Sequence, residues 1–164
     1  MSMKQAAIYL RVSTDQQNYD RQKKELLAYC TRNQLQVKYI FEEKESGRKD
    51  DRPEFQKLGT LTKEDIQVVV VWEISRLSRK AYMILKVAED FAQKGISIYA
   101  LKENLMTLEE DGSWNSTAKL VLGLFASMAQ TELETLRDRS LSGKKNKILS
   151  GQMDYTFKPP YGYS

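Results

Sequence analysis

The chain has 164 residues, of which 41% are apolar and none is histidine, and its formal net charge is +4. This length and apolar fraction suit one ordinary domain with a core. The lack of histidine excludes Ser-His-Asp catalysis and histidine metal sites. No apolar run reaches the ~18 residues of a membrane helix. A single cysteine, Cys30, predicts a buried thiol and a reducing, cytoplasmic setting.

Up to residue 113 the chain alternates predicted strands with predicted helices. In chain order we expect a strand at 5–12, a helix at 15–33 with Asp15 as its N-cap, a strand at 36–41, a polar loop, a short helix from Pro53 to about Gly59, a strand in "DIQVVVVWE", a helix at about 78–94 that ends at Gly95, and a strand in "ISIYALKE". This alternation predicts an α/β fold: a layered domain with a mostly parallel central sheet flanked by helices, followed by a long C-terminal helix.

The long helix is predicted at 114–150, where the sequence favours helix throughout and contains no proline. As one continuous helix it would be about 55 Å long, unless Gly143 ends or bends it. Its first half, at 120–129, is apolar on nearly every face. One side would cover the sheet domain and the rest would need a second partner, which predicts self-association.

The charge is concentrated at the C-terminal end. From residue 137 onward six basic residues face two acidic ones, whereas residues 1–136 are balanced. A neutral body with a basic extension is typical of binding to a polyanion. The basic residues that we single out on the helix are Arg139, Lys144, Lys145 and Lys147. The alternative is a solvated helix end, where cations are favourable in any case.

The stretch "YLRVS" places a hydroxyl close to a guanidinium at the end of the first predicted strand. Side chains alternate along a strand, so Tyr9, Arg11 and Ser13 are expected to share one face. In open α/β sheets ligands bind beyond the carboxyl ends of the strands. Ser13 stands at such an end, which makes it a candidate nucleophile.

Further arginines follow other predicted strands. Arg76 and Arg79 are three residues apart at the start of a predicted helix, which would place them on one face, and the polar loop adds Arg48 and Arg52. Guanidinium groups bind phosphate oxygens and spread positive charge over a transition state. A hydroxyl ringed by arginines suits attack on a phosphodiester with a covalent phosphoserine product. The alternative is that Ser13 caps the next helix and the arginines are solvated.

Four stretches resemble, in order, the motifs of the serine recombinases, the resolvase–invertase family. They are "YLRVSTDQQ", "ESGRKDDRPEF", "SRLSR" and "ASMAQTELETLRDRS". The resemblance runs from about residue 6 to the end of the chain, and the first motif is the most specific. The ending "PPYGYS" is similar to the junction after the catalytic domain of large serine recombinases.

The resemblance implies a site-specific DNA recombinase of mobile elements that cleaves and rejoins double-stranded DNA through a phosphoserine, without a metal or nucleotide cofactor. It implies a homodimer that forms a tetramer in the synaptic complex. Carried over by position, the implied catalytic residues are Ser13, Arg11, Arg76, Arg79 and Arg52, with Tyr9, Gln22 and Glu43 as active-site support. The implied organisation is a catalytic domain at 1–113, an oligomerisation and DNA-contacting helix at 114–150, and a linker at 151–164 towards a DNA-recognition domain.

Two positions depart from the family pattern, and two other functions stay open. Ser75 stands where the family has an aspartate, so the general acid is unassigned between Arg79, Glu73 and water, and Leu133 replaces a basic or polar residue. A non-catalytic DNA-binding relative is one alternative. The other is a metal-dependent nuclease that uses the acidic clusters Glu42, Glu43 and Glu45 or Glu109, Glu110 and Asp111.

Overall fold

The computed structural model describes residues 3–12, 16–44, 52–78 and 80–149, with the side chains of 12, 16, 17, 44, 132 and 143–149 left aside. Its elements in chain order are β1 (Gln5–Val12), α1 (Gln16–Arg32), β2 (Gln36–Lys44), α2 (Pro53–Thr60), β3 (Val68–Val71), a 3-10 turn (Ile74–Arg76), α3 (Ala81–Gln93), β4 (Ser97–Ala100), β5 (Leu105–Met106) and α4 (Ser116–Leu149). The predicted alternation of strands and helices is confirmed.

The sheet has five strands in the order β2-β1-β3-β4-β5. All neighbours are parallel except β5, which pairs antiparallel with β4 and which the sequence did not predict. Tyr9 on β1 is in register with Val71 on β3, and Arg11 on β1 is in register with Glu43 on β2. The first strand of the chain therefore has a neighbour on both sides, and the carboxyl ends of β1, β2 and β3 lie at one edge.

Alternation along β1 divides the core between the two faces of the sheet. Ile8 and Leu10 belong to the cluster that contains Leu26 and Cys30 of α1. Tyr9 belongs to the opposite cluster, which draws on α2, α3 and the beginning of α4. Each fully buried aliphatic side chain of this kind stabilises the fold by roughly 1.5–3 kcal/mol. This arrangement is the predicted layered α/β domain, and Cys30 is buried as expected.

Gly95 ends α3 in the manner that its sequence position predicts. Its φ angle is +69°, its N–H donates to Ala92 O, and the N–H of Ile96 donates to Phe91 O, both over 2.9 Å. These two bonds satisfy carbonyl groups of the last helical turn, as in a Schellman motif. Ile96 is then fully buried and leads directly into β4.

Two predicted boundaries next to the sheet edge are wrong. β2 was expected to stop at residue 41 but continues to Lys44, because Glu43 is buried and accepts the N–H of Phe55. α3 was expected from about residue 78 but begins at Ala81, and Arg76 lies in the preceding 3-10 turn. Arg76 therefore lies outside α3, and Arg79, like Asp15, is outside the described residues.

Helix α4 runs through 34 residues without interruption, including Gly143, and is about 51 Å long. This confirms the predicted continuous helix to within two residues at its start and one at its end. The chain divides within α4 into two compact units, residues 1–126 and 127–164. Among the described residues, no helix combines the length and the apolar character that crossing a membrane requires.

Candidate active site

The structure brings several of the predicted site residues to the carboxyl edge of the sheet. Tyr9 and Arg11 are on β1, Glu43 is on β2, and Arg76 is in the turn that follows β3. Arg52 directly precedes α2. Ser13, Arg48 and Arg79 are outside the described residues, although Ser13 is the next residue in the chain after β1.

Arg52 joins two of these segments through its guanidinium group. Its Nη2 donates to Tyr9 Oη over 2.7 Å and to the carbonyl oxygen of Arg76 over 3.0 Å. Its Nη1 donates to the carbonyl oxygen of Leu77. One side chain thus ties the end of β1 to the turn after β3, which fixes the position of the backbone that carries Arg76.

Aromatic rings enclose this guanidinium group. Its carbon lies 4.2 Å from the ring centre of Phe55 and 5.6 Å from that of Tyr9, and the two rings pack edge to face at 5.3 Å. Burial raises the pKa of Tyr9, and the smaller effect of Arg52 lowers it. The phenol is therefore neutral at pH 7 and serves as an acceptor for Arg52. Phe55 was not predicted as a site residue, although an aromatic residue three positions after an arginine is a visible signal.

Glu43 supports the same region from β2. It is 5% exposed, and its Oε2 accepts the N–H of Phe55 over 3.0 Å. Phe55 is in the first turn of α2, where backbone N–H groups have no partner within the helix. The carboxylate thereby fixes the start of α2 beside Arg52.

Glu73 forms a second charged group around Arg76. Its Oε1 lies 3.3 Å from Arg76 Nη2 and accepts the hydroxyl of Ser75 over 2.8 Å, while its Oε2 accepts Lys102 Nζ over 2.7 Å. The hydrogen bond from Lys102, the hydroxyl of Ser75 and the charge of Arg76 together lower the pKa of Glu73, against a raising effect of burial. The carboxylate is ionised at neutral pH.

Gln22 belongs to a different hydrogen-bonded group. It is buried on α1, and its Nε2 donates to Asn18 Oδ1 over 3.2 Å. Arg21 Nη2 donates to the same oxygen over 3.1 Å, and the Arg21 guanidinium lies 5.8 Å from the ring centre of Trp72, which follows β3. The described contacts of Gln22 therefore connect it to α1 rather than to Arg52.

The acidic clusters proposed as metal ligands have separate partners. Glu109 accepts Asn115 Nδ2, Glu110 pairs with Lys4, and Asp111 accepts the N–H of Ser113. Glu42 pairs with Lys23 over 2.6 Å, and Glu45 lies outside the described residues. Within the described ranges no three His, Cys, Asp or Glu side chains are grouped closely enough to hold a metal ion.

The predicted DNA-contacting residues all fall within α4. Arg139 is exposed, as is Leu133, the position where the family pattern has a basic or polar residue. Lys144, Lys145 and Lys147 are helical, and their side chains are not among those described.

Comparisons with known proteins agree with this fold. A family model described as "Resolvase, N terminal domain" matches residues 6–153. The resolvase of transposon Tn552 from Staphylococcus aureus is 31% identical over 136 residues, which cover 83% of this chain and 64% of that protein. The resolvase of transposon Tn917 from Enterococcus faecalis is 28% identical over 144 residues, which cover 88% of this chain and 71% of that protein.

A solved structure shares the fold as well. The N-terminal catalytic domain of TP901-1 integrase has a TM-score of 0.64 and 28% identity, and the match covers 80% of this chain and 98% of that domain. This chain thus matches a whole catalytic domain, but it spans less than two thirds of the Tn552 resolvase.

Proposed function

The chain belongs to the resolvase family of serine recombinases, with the family's N-terminal domain at residues 6–153, and we propose that it cleaves and rejoins DNA through a covalent bond to Ser13. Several relatives that it resembles are named as resolvases of transposons. The TP901-1 domain that it resembles is described as the catalytic part of an integrase.

The observation that carries the proposal is the contact made by Arg52. Its guanidinium group bonds to Tyr9, four residues before Ser13, and to the backbone of the turn that carries Arg76. Since β1 and β3 are parallel neighbours, the residues that follow them are expected at the same edge of the sheet. Phosphoryl transfer depends mainly on such positioning and on stabilisation of charge.

In the proposed reaction the hydroxyl oxygen of Ser13 attacks the scissile phosphorus. A phosphoserine bond forms as the Ser13 hydroxyl gives up its proton to water, the bond to the 3′ oxygen breaks, and that oxygen takes up a proton to leave a free 3′ hydroxyl. Arg11, Arg76 and Arg79 neutralise the non-bridging phosphate oxygens. Attack by a 3′ hydroxyl on the phosphoserine reverses the step and rejoins the strand.

Arg52 receives a different role from the one first predicted. It was expected to contact the phosphate, yet three of its hydrogen bonds go to oxygens of the protein itself. We therefore propose that Arg52 holds the site together, while Tyr9 and Glu43 support it and Gln22 lines it from α1. Its charge still adds to the positive field around the phosphate.

Helix α4 is the proposed surface for assembly and for DNA. Large apolar side chains along it are 54–68% exposed: Leu120, Leu124, Met128, Leu133, Leu136 and Leu141. Exposed apolar surface of this extent favours association with a second copy, first as a dimer and then as a tetramer on DNA. Arg139, Lys144, Lys145 and Lys147 are proposed to contact phosphates of double-stranded DNA.

Covalent trapping tests the proposed reaction directly. The chain is mixed with labelled duplexes that carry a random 40-base-pair centre, in the presence of a chelator, and stopped with detergent. We expect a protein–DNA adduct with the wild type and none with Ser13→Ala, while both bind the duplex pool equally. A wild type that binds DNA without forming an adduct would instead support the non-catalytic alternative, which the Ser75 substitution motivates.

Salt dependence tests the contact with DNA. Replacing Lys144, Lys145 and Lys147 with alanine should reduce the slope of log affinity against log salt by roughly 0.9 for each lost phosphate contact. Exchanging Lys57, Lys63 and Lys86, which are exposed on the first unit, for alanine provides a matched loss of three charges. If the two sets of variants show the same slope of log affinity against log salt, α4 does not contact the DNA.

A further inference from the structure

We infer that Glu73 is the positioning residue for Arg76 and takes the place of the acidic residue that the family pattern has at position 75. The inference rests on the proposed function, because it concerns how an arginine of that site is oriented. It assigns a role to a residue outside the four matched motifs and accounts for the presence of Ser75 in "SRLSR".

The geometry of the turn brings the two charges together. Glu73 is extended, with φ −145° and ψ 155°, and the 3-10 turn Ile74–Arg76 begins directly after it. This places the carboxylate of Glu73 and the guanidinium of Arg76, three residues later, on the same side at 3.3 Å. The Glu73 side chain is 17% exposed, so solvent screens the pair less than an ordinary surface pair.

The neighbouring hydroxyl makes the carboxylate itself well fixed. Ser75 Oγ donates to the same Oε1 that faces Arg76, and Lys102 Nζ holds the other oxygen. Glu103 adds a bond to the turn, since its Oε2 accepts the N–H of Ile74 over 3.3 Å. Ser75 thus acts through Glu73. The hydroxyl of Ser75 orients the Glu73 carboxylate, and that carboxylate, rather than a side chain at position 75, faces Arg76.

The protonation state separates positioning from acid catalysis. Glu73 was one of three options for the group that protonates the leaving 3′ oxygen. Its contacts with Lys102, Ser75 and Arg76 lower its pKa, so at neutral pH it carries no proton to give. Its chemistry in this site is therefore to accept hydrogen bonds, which leaves Arg79 or water for the leaving group.

The first experiment measures the orientation of Arg76 without any DNA. In the ¹⁵N-labelled chain, the guanidinium N–H signals of Arg76 are identified by their loss in Arg76→Lys, and their hydrogen exchange is followed. We expect exchange to accelerate about tenfold in Glu73→Gln, because the ion pair that holds the Arg76 guanidinium is lost. Glu110→Gln, which disrupts an exposed ion pair of the same 3.3 Å length, should leave the Arg76 signals unchanged. Unchanged exchange in Glu73→Gln would overturn the inference.

The second experiment measures covalent trapping. In Glu73→Gln we expect the rate of adduct formation to fall about tenfold to a hundredfold, with affinity for the duplex pool within about twofold. The loss should be equal at pH 6 and pH 8, since Glu73 is ionised at both. If Glu73 were the acid, the rate of adduct formation in the wild type would decline as pH rises, and this decline would be absent in Glu73→Gln. That result would overturn the positioning role.

Two further variants exclude a merely structural effect. Lys102→Met removes a partner of Glu73 but keeps the pair with Arg76, so it should retain most of the rate. If Lys102→Met loses as much as Glu73→Gln, the carboxylate only anchors the turn and the inference is wrong. Adding Ser75→Asp to Glu73→Gln should raise the rate clearly above that of Glu73→Gln alone, because a carboxylate then precedes Arg76 again. A double variant that melts like the wild type but is no faster than Glu73→Gln would contradict the inference.

The two proposals fail in different ways. If the wild type forms no adduct with any duplex, the proposed recombinase function fails, and the exchange measurement still decides whether Glu73 orients Arg76. If the wild type forms the adduct and Glu73→Gln matches it in rate, the function stands and the positioning role is wrong.

Discussion

At the edge of the sheet charged side chains find partners within the chain, whereas along α4 large apolar side chains remain exposed. Arg52 bonds to three oxygens of its own protein, and Glu73 bonds to three side chains. On α4, by contrast, Leu120 is 68% and Leu141 65% exposed. Within one chain Arg52 and Arg76 already have partners, whereas the exposed apolar side chains of α4 are the surface that the proposed self-association would cover.

This contrast can be tested by comparing variants of the two regions in the same measurement. The free energy of unfolding in urea should respond strongly to changes at the sheet edge and weakly to changes on α4. Self-association should respond in the opposite way.

The largest effect is expected for Arg52→Ala. The change removes a partly buried guanidinium and leaves Tyr9 Oη and two carbonyl oxygens without their donor, so the free energy of unfolding should fall by about 3 kcal/mol. Arg32→Ala, at the exposed end of α1, should change it by less than about 0.5 kcal/mol. Similar urea curves for the two variants would show that Arg52 does not join β1 to the turn.

A smaller effect is expected for Tyr9→Phe. The ring stays in the core, but Arg52 Nη2 loses an acceptor at 2.7 Å, which should cost about 1–2 kcal/mol in urea unfolding. Tyr82→Phe on the exposed side of α3 is the matched change and should be nearly silent. If neither substitution changes the free energy of unfolding, the hydroxyl of Tyr9 does not stabilise the edge of the sheet.

Acid should weaken the fold through its paired carboxylates. Lys23 lowers the pKa of Glu42, and Lys102 lowers that of Glu73. Such groups stabilise the fold above their ordinary pKa near 4.5, and this contribution is lost as pH falls through the lowered value. Lys23→Met should make the decline below pH 5 shallower by up to about 1 kcal/mol, and Lys24→Met, one residue further on, should not. Parallel pH curves for all three proteins would contradict this.

The smallest effect on unfolding is expected for Leu124→Ser and Leu136→Ser on α4. Because both side chains are exposed, each change should alter the free energy of unfolding by less than about 0.5 kcal/mol. Sedimentation should nevertheless show weaker self-association. Leu58→Ala in the core provides the contrast, with a loss of about 2–5 kcal/mol. If the α4 variants sediment like the wild type, this surface of α4 does not take part in self-association.

The sequence was sufficient to predict an element where the pattern of side chains within that element determines its structure. The valine run predicted β3, alternation predicted the two faces of β1, and Gly95 predicted the end of α3. It failed where a distant partner decides the local structure. β2 extends through Glu43, whose carboxylate accepts a hydrogen bond from the distant N–H of Phe55, and β5 forms only by pairing with β4.

The site shows the same limit. Arginine spacing drew attention to Arg52 and Arg76, but the acceptors of Arg52 include carbonyl oxygens, which every residue possesses and which therefore leave no pattern. Arg76 was expected at the start of a helix from about residue 78, but it lies in the 3-10 turn Ile74–Arg76. The pair of Glu73 with Arg76, three residues apart, was visible in the sequence, but its significance depends on the bond from Ser75.

The central place of β1 also bears on how the chain is synthesised. β1 leaves the ribosome before β3, yet its Ala6 pairs with Val68 of that strand. At roughly 5–20 residues per second, the nascent strand waits several seconds for that neighbour. Ile8, Leu10 and Tyr9 lack part of their core during this interval, so β1 is then open to chaperones and to aggregation. The strand that leads to Ser13 is thus made before its neighbour β3, and it can be enclosed on both sides only after residue 71 has emerged.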